Sequence, residues 1–272
     1  MDEAGTDICL VGDSAGMVVH GYDTTLPITL DEMLTHCRAA ARGAPRALCI
    51  GDLPFGSYEE SDKQAVRSAS RMLKEGVMDA VKLEGGNARK ACAAAAIVSS
   101  GIAVMGHTGL TPQSVSALGG FRSVGRKADE ALAVFDAALR LQDAGCFAIV
   151  LECIPSELAA SITAALEVPT IGIGSGPATS GQVLVYHDML GMLSHPHHES
   201  VTPKFAKRYA QVGHAVHEAL QAYCEEVHVG AFPSQEYSPY ALGVEEREVV
   251  AAALRKRRLD DAADRLNDFS PA

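Results

Sequence analysis

Three acidic residues share one position in the sequence pattern, since each closes an apolar segment of strand-like composition. Asp13 ends the run ICLVGD, Asp52 ends RALCIGD and Glu84 ends DAVKLE. The intervals are 52 − 13 = 39 and 84 − 52 = 32 residues, each about the length of one strand-helix unit. Because the ends of neighbouring parallel strands lie ~5 Å apart, the three carboxylates are expected to converge at one edge of a sheet.

Converging carboxylates predict a cation site. Three like charges at short range raise one another's pKa and destabilise the site unless a cation neutralises them. Hard oxygen ligands without a neighbouring Cys or His favour Mg²⁺ over zinc. Each acid taken alone has another explanation, because Asp often caps the helix that follows it. All three in register favour the metal interpretation.

Two more charged residues belong to the same pattern. Lys82 precedes Glu84 by two residues, and strand side chains alternate with period two, so both should point to one side of the strand. A buried Lys beside a carboxylate suits an anionic substrate group, and a structural ion pair is the alternative. Glu152 ends the run CFAIVLE, whose apolar character predicts a raised carboxyl pKa and a general base.

Other polar features carry less weight. His107, in GHTGLTPQ, is a candidate for a hydrogen bond to substrate and equally for a satisfied core histidine. The GIGSG loop at 172–176 could receive a phosphate, but a lone Gly-rich loop more often signals a tight turn. His195, His197 and His198 resemble a metal cluster, yet the proline among them and the lack of companion ligands favour an exposed loop.

The elements that position these residues alternate between strand and helix, which predicts a parallel sheet. Loops rich in Gly, Pro, Asp and Thr follow several strands, which favours a (β/α)8 TIM barrel over a doubly wound sheet with one nucleotide loop. Only seven strands are visible, so the first barrel strand and helix are expected to be missing upstream of Met1. The strands are predicted at 8–11, 46–51, 80–83, 102–106, 147–151, 169–173 and 182–186, and the helices at 30–42, 61–75, 88–99, 129–144 and 155–166.

Composition limits the class of protein. The 272 residues, 47% of them hydrophobic, fit one large α/β domain or two small ones. A net charge of −11 disfavours nucleic acid and anionic membranes as partners, and leaves small molecules or other proteins. Seven cysteines without a C-x-x-C pair read as reduced thiols. No apolar run spans a membrane and no secretion signal is visible, so a cytoplasmic chain is expected.

A series of motifs resembles one enzyme family. VGDSAGM, GDLPF, VKLEGG, GHTGLTPQS, LECIP, IGIGSGP and GQVLVYHDMLG, followed by PKFAKRY, occur in the order typical of ketopantoate hydroxymethyltransferases between Asp7 and Phe232. The resemblance implies a (β/α)8 barrel that transfers a hydroxymethyl group from 5,10-methylenetetrahydrofolate to 3-methyl-2-oxobutanoate. The product is 2-dehydropantoate, in the biosynthesis of pantothenate and coenzyme A. The resemblance also implies a homo-oligomer, often a decamer.

Matching motif positions assign roles to residues of this chain. Glu152 matches the proton acceptor, which together with a cation would remove a proton beside a ketone and stabilise the enolate oxygen. Lys82 matches the contact to the keto acid carboxylate. The resemblance implies Mg²⁺ ligands, direct or through water, at Asp13, Asp52 and Glu84. Substrate contacts are expected from Asp13, Ser14, Asp52, Lys82 and His107.

The sequence also departs from the family pattern. Family members carry an earlier strand with a TAYD-like segment, which does not occur here, and a barrel without it has two unpaired edges. Ser180 stands where relatives usually have an acid. The catalytic domain is therefore expected at 1–240, truncated at its N-terminus. A charged extension follows at 241–272, with a helix over 244–267 that docks on a subunit or stays solvated.

The sequence leaves two alternative functions and the cellular compartment undecided. A carbon–carbon lyase or mutase of the phosphoenolpyruvate mutase type would share the barrel and the Mg²⁺ carboxylates, but its reactive Cys motif is not visible. An inactive truncated paralogue that serves as an assembly subunit is the second alternative. The segment SHPHHES resembles eukaryotic members, so a longer natural N-terminus could carry a mitochondrial address.

Overall fold

The structure, a computed structural model, describes residues 1–118, 120, 122–193 and 203–268. The chain divides into two compact units, Met1–Ala210 and Gln211–Ala272. The predicted division after residue 240 stays a prediction. His195, His197 and His198, predicted to lie in an exposed loop, fall outside the described residues.

The first unit contains one seven-stranded parallel sheet whose strands pair in sequence order. This order confirms the predicted α/β class with a parallel sheet. The strands are β1 Ile8–Val11, β2 Leu48–Asp52, β3 Ala80–Lys82, β4 Ala103–Gly109, β5 Ala148–Glu152, β6 Thr170–Ile173 and β7 Gly181–Gln182.

The last strand is shorter than predicted, and the expectation of a strand over 182–186 was wrong beyond Gln182. The backbone of Val183 donates the last sheet hydrogen bond, to the Gly172 carbonyl at 3.0 Å. A helix begins at Tyr186 instead. Among the described residues β7 pairs only with β6, so hydrogen bonding on one side alone supports it, and the chain leaves the sheet early.

Helices connect the strands, and side-chain caps mark where several of them begin. Thr29 and Glu32 form a capping box at the start of the helix after β1. Ser61 and Asn87 accept hydrogen bonds from the third residue of the helices that they precede. The described residues of this unit form the α-helices α1 Ala15–Val18, α2 Leu30–Gly43, α3 Asp62–Lys74, α4 Ala88–Ser99, α5 Val115–Leu118, α6 Ala128–Asp143, α7 Ser156–Ala165 and α8 Tyr186–Met189.

The two faces of the sheet carry separate apolar clusters. The larger cluster joins one face of the sheet to the helices, as Ile149 and Leu151 of β5 illustrate. The smaller cluster lies on the other face and is made of Ile50, Ala80, Met105, Ala148 and Val150. Strand side chains alternate with period two, so the next residues along this second face are polar or charged. They are Asp52, Lys82, His107 and Glu152.

The second unit is helical where it is described. Its α-helices are α9 Val212–Val229, α10 Val244–Lys256 and α11 Asp260–Asp268. The single helix predicted over 244–267 is therefore two helices. The break follows from Arg258, whose φ of 60° is left-handed and ends a right-handed helix. In the described part of the chain, no helix is long and apolar enough to cross a membrane.

Candidate active site

The carboxyl ends of the first five strands bring the predicted acidic residues together. Asp52 is the last residue of β2 and pairs in register with Lys82, the last residue of β3. Asp13 follows β1 by two residues, and Glu84 follows β3 by two. One carboxylate oxygen from each of Asp13, Asp52 and Glu84 lies within 4.8 Å of the others, and all three residues are buried. The expected convergence of the three acids is present.

Lys82 is the buried cation of this cluster. Its Nζ donates to both oxygens of Asp52, at 2.8 and 2.7 Å, and lies 3.9 Å from Oε1 of Glu84. Lys82 and Glu84 therefore face the same side, as the strand period predicts. Burial alone would lower the pKa of Lys82, but the Asp52, Glu84 and Asp13 carboxylates outweigh burial and raise it. Lys82 thus stays charged.

The acids carry more negative charge than one lysine can neutralise. Burial, reinforced by the charge of Asp52, raises the pKa of Asp13 to about 7. Burial also raises the pKa of Glu84 well above its usual range, and Lys82 only partly opposes this effect. A site that holds several carboxylates at raised pKa binds protons or a metal cation more tightly than an exposed acid does.

Glu152 lies further along the same sheet edge. Burial raises the pKa of its carboxyl to about 8, against the opposing effect of Lys82. The chain turns sharply after it, since Cys153 has a left-handed φ of 52°. Across the sheet Glu152 pairs with Gly109, and a Cβ added to that glycine would lie 2.2 Å from the Glu152 carbonyl oxygen. Close backbone packing therefore fixes the position of Glu152.

His107 is buried between two carboxylates. Its Nε2 lies 2.7 Å from the Leu110 carbonyl, which can only accept, so Nε2 carries the proton. Burial and the nearby Lys82 charge hold the pKa of His107 well below its usual range, so the ring is neutral. Nε2 lies 3.4 Å from Glu152, and Nδ1 lies 4.0 Å from Glu84 without a hydrogen-bond partner. His107 is thus anchored as a core histidine and leaves Nδ1 as an acceptor towards the acids.

The remaining predicted residues and two that sequence analysis missed complete the site. Ser14 precedes α1, and its hydroxyl forms no cap hydrogen bond. The GIGSG segment ends β6 at Ile173 and continues as a bend in which the Ser175 hydroxyl donates to the Leu151 carbonyl at 2.8 Å. Tyr58 and Gln113 are buried beside the acids and hydrogen-bonded to them or to their backbone. The sequence signal for Gln113 is its place inside the motif GHTGLTPQS, where sequence analysis singled out His107 alone.

The donor set fits a hard divalent cation. Three carboxylates at short spacing provide the oxygen ligands that Mg²⁺ prefers, and this ion commonly keeps several water molecules that complete its coordination. No cysteine belongs to the cluster formed by the described residues. The three acids lie close together, and one lysine cannot neutralise all of them, which is an electrostatic reason for a cation at this site.

Fold and site together define an α/β enzyme with a buried carboxylate cluster at the carboxyl edge of a parallel sheet. A model of the ketopantoate hydroxymethyltransferase family matches residues 1–235. The chain belongs to this family and is a transferase. The motif resemblance that the sequence provides is therefore confirmed.

Individual relatives agree with the family match. The chain is 60% identical over 264 residues to 3-methyl-2-oxobutanoate hydroxymethyltransferase 1, mitochondrial, of Oryza sativa subsp. japonica. The aligned region covers 97% of this chain and 72% of the relative. The protein of the same name from Arabidopsis thaliana is 60% identical over 263 residues, 97% of this chain and 76% of the relative. The 3-methyl-2-oxobutanoate hydroxymethyltransferase of Heliobacterium modesticaldum is 52% identical over 238 residues, 88% of this chain and 84% of the relative.

Proposed function

We propose that this chain transfers a hydroxymethyl group from 5,10-methylenetetrahydrofolate to 3-methyl-2-oxobutanoate, giving 2-dehydropantoate for pantothenate and coenzyme A synthesis. The observation that carries the proposal is the cluster of Asp13, Asp52 and Glu84 within 4.8 Å of one another in a member of this family. The relatives' names supply the substrate and the type of transfer. The acidic cluster supplies a reason why the chain could perform the chemistry.

Glu152 is the general base in this proposal. Its carboxyl has a pKa of about 8 because it is largely buried, which makes the carboxylate a stronger proton acceptor than an exposed glutamate. It would remove the proton from C3 of the keto acid. Close packing against Gly109 holds it at the sheet edge, so the proton acceptor needs little rearrangement.

Asp13, Asp52 and Glu84 would hold Mg²⁺ in this mechanism. When bound, the cation supplies stabilisation for the negative charge that develops on the ketone oxygen as the proton leaves. Lys82 lowers the net charge of the acids and holds Asp52 through two hydrogen bonds. Since Lys82 stays charged, it is also suited to attract the substrate carboxylate. Both roles are compatible if the Lys82 ammonium group contacts Asp52 and the substrate carboxylate at the same time.

His107 and Ser14 complete the substrate contacts. The neutral His107 ring offers Nδ1 as a hydrogen-bond acceptor, because its Nε2 proton is used by the Leu110 carbonyl. The keto form of the substrate has no donor, so Nδ1 would accept from the hydroxyl of the enol form. The hydroxyl of Ser14 remains available because it does not cap α1. Asp13 and Asp52 lie beside these groups, so the keto acid and the cation would share one pocket.

The wider context is also part of the proposal. The seven consecutive parallel strands supply seven of the eight strands of a (β/α)8 barrel, with the site at the end where barrel enzymes carry theirs. Val216, Leu220, Tyr223 and Val227 of α9 are 47–59% exposed, and an exposed apolar surface of this kind supports self-association into a homo-oligomer, a decamer in our proposal. The plant relatives are mitochondrial by name, which supports a mitochondrial location.

Proton exchange at C3 of the keto acid tests the proposal before any folate is added. The purified chain with 3-methyl-2-oxobutanoate in D2O should lose the C3 proton signal by NMR with Mg²⁺ present and keep it with a chelator. Adding 5,10-methylenetetrahydrofolate should then yield 2-dehydropantoate. Absence of both reactions, or cleavage of isocitrate-like acids in their place, would contradict the proposed function.

A further inference from the structure

A buried glutamine joins the acids of the candidate metal site. Gln113 lies in the 3-10 turn Pro112–Ser114 that follows β4, and it is 3% exposed. Pro112 fixes the first position of this turn, and Ser114 closes it with a backbone hydrogen bond to Thr111 at 2.9 Å. The turn therefore directs the Gln113 side chain into the polar cluster rather than to solvent.

Gln113 uses its side chain and its backbone for four hydrogen bonds. Its Nε2 donates to Oδ2 of Asp13 at 2.8 Å and to the Leu53 carbonyl at 2.9 Å. Its Oε1 accepts from the Tyr58 hydroxyl at 2.6 Å, and its backbone N–H donates to Oε2 of Glu84 at 3.0 Å. The amide orientation follows from these partners, since the Leu53 carbonyl can only accept and so must face the nitrogen.

In this arrangement Gln113 forms a hydrogen bond with only one of the two oxygens of each carboxylate, Asp13 and Glu84. Oδ2 of Asp13 and Oε2 of Glu84 are held by Gln113, whereas Oε1 of Glu84 faces Lys82 at 3.9 Å. A carboxylate held through one oxygen presents the other in a fixed direction. Gln113 therefore sets the direction in which both acids can offer an oxygen to a cation.

The residue type matters as much as the position. The amide donates to Asp13 without adding charge, so the acids keep their need for a cation, unlike Asp52, which Lys82 already neutralises. A glutamate here would add another negative charge, and its ionised carboxylate could donate neither to Asp13 nor to the Leu53 carbonyl. A methionine would fill a similar volume without any of the side-chain hydrogen bonds.

We propose that Gln113 is a positioning residue that orients Asp13 and Glu84 for the divalent cation, with Tyr58 fixing the orientation of its amide. This inference rests on the proposed metal-dependent function. Residues of this kind, which hydrogen-bond to metal ligands without binding the metal, commonly change metal affinity 10–100-fold when they are removed.

Mn²⁺ titration followed by electron paramagnetic resonance tests the proposal without any substrate. Gln113→Met removes the side-chain hydrogen bond to Asp13 and keeps the backbone hydrogen bond to Glu84, and it should bind Mn²⁺ about 10–100-fold more weakly than the wild type. Tyr58→Phe keeps the ring and the Asp13 hydrogen bond but removes the hydroxyl contacts to Gln113 and to the Glu84 backbone, so it should lose less affinity, about threefold to tenfold. Gln142→Met is the matched control, because Gln142 bonds the backbone of Glu167 through a 2.7 Å contact remote from the acids. It should leave the affinity unchanged.

The outcomes separate this proposal from the proposed function. A wild type that binds Mn²⁺ and a folded Gln113→Met variant with the same affinity would overturn the role of Gln113 and leave the function intact. If Gln113→Met does not fold by circular dichroism, an unchanged affinity of Tyr58→Phe overturns the role instead. A wild type that binds no Mn²⁺ would overturn the metal assignment, and the role of Gln113 with it.

Discussion

The two ends of the sheet's carboxyl edge differ in how they are built. At β1 to β5 the edge carries four carboxylates and Lys82. Asp13, Asp52, Glu84 and Lys82 are buried close together, and Glu152 lies 3.4 Å from His107. At β6 and β7 it carries a Gly-rich turn beside an open cleft of about 640 Å³, which Phe205 and Tyr209 help to line. No acidic residue lines this cleft in the part of the chain that the structure describes.

The first region depends on interactions between charged side chains, whereas the second depends on the backbone conformation of its glycines. In the acidic region the charges of Lys82 and Asp52 change the pKa values of Asp13 and Glu84, so ligand affinity and catalysis should respond strongly to single charge changes. In the glycine region the conformation is set by Gly174 and Gly176, whose φ angles of 63° and 76° suit glycine. Changes there should alter stability and leave metal binding alone.

The largest expected effect is on proton exchange. Glu152→Gln removes the base without changing the shape of the side chain, so C3 exchange of the keto acid should fall about 10²–10⁴-fold while Mn²⁺ still binds. Glu157→Gln, at an exposed position in the first turn of α7, is the control and should keep the wild-type rate. Exchange retained in Glu152→Gln would remove Glu152 from the role of base.

Metal affinity should show the next largest effect. Asp52→Asn removes one proposed ligand charge, so Mn²⁺ affinity measured by calorimetry should fall more than about 100-fold. Asp79→Asn changes an acid at the opposite end of β3, where the carboxylate accepts from the Cys49 N–H at 2.8 Å. That variant should bind Mn²⁺ normally, and an equal loss in both variants would count against a specific site.

The pH dependence of stability has a defined sign. Glu152 and Asp13 have folded-state pKa values of about 8 and about 7, above their ordinary values, so the folded state binds more protons than the unfolded state. Without a metal ion, the free energy of unfolding should therefore fall as pH rises from about 4 to about 8. Mg²⁺ binds the ionised acids, so it should raise Tm more at high pH.

Calorimetry with Mg²⁺ or with a chelator checks this pH effect. The increase in Tm on adding Mg²⁺ should be larger at about pH 8.5 than at about pH 5.5, by on the order of 5 °C, which a few kcal/mol would produce in a chain of this size. An increase that does not depend on pH would mean that protons and Mg²⁺ do not compete for the same acids.

The glycine region should give the smallest effect on function. Gly174→Ala places a Cβ 2.6 Å from a ring carbon of Phe205 and holds alanine in a left-handed conformation. The variant should lose about 1–2 kcal/mol of stability, measured by urea unfolding, and keep its Mn²⁺ affinity. A large loss of affinity would show that the two regions are coupled, contrary to the comparison above.

The sequence alone was enough to predict those features of the fold and the site that depend on the local pattern of residues. The strand period and the position of each acid at a strand end were enough to place Asp13, Asp52 and Glu84 together, and the alternation of apolar residues put Lys82 on the same side. Apolar runs likewise located α2, α3, α4, α6 and α7 and most strands to within a few residues, but not the short helices or α9. These features are set by residues close in sequence.

What sequence reasoning missed depends on contacts between distant segments. The Gln113 side chain meets Asp13 across 100 residues and Tyr58 across 55, and no periodicity reports such a pairing. The early end of β7 depends on which neighbours a strand has, and the break at Arg258 depends on a left-handed backbone at a residue type that rarely adopts it. Both are decided by tertiary structure or by individual torsions.

Anomalous diffraction from crystals soaked in Mn²⁺ tests the central claim most directly. The claim is that the carboxylates of Asp13, Asp52 and Glu84 hold one divalent cation beside Glu152. One anomalous peak should lie among these three side chains, at direct or water-bridged distance. A peak elsewhere, or Mn²⁺-saturated crystals without a peak at this cluster, would contradict the claim.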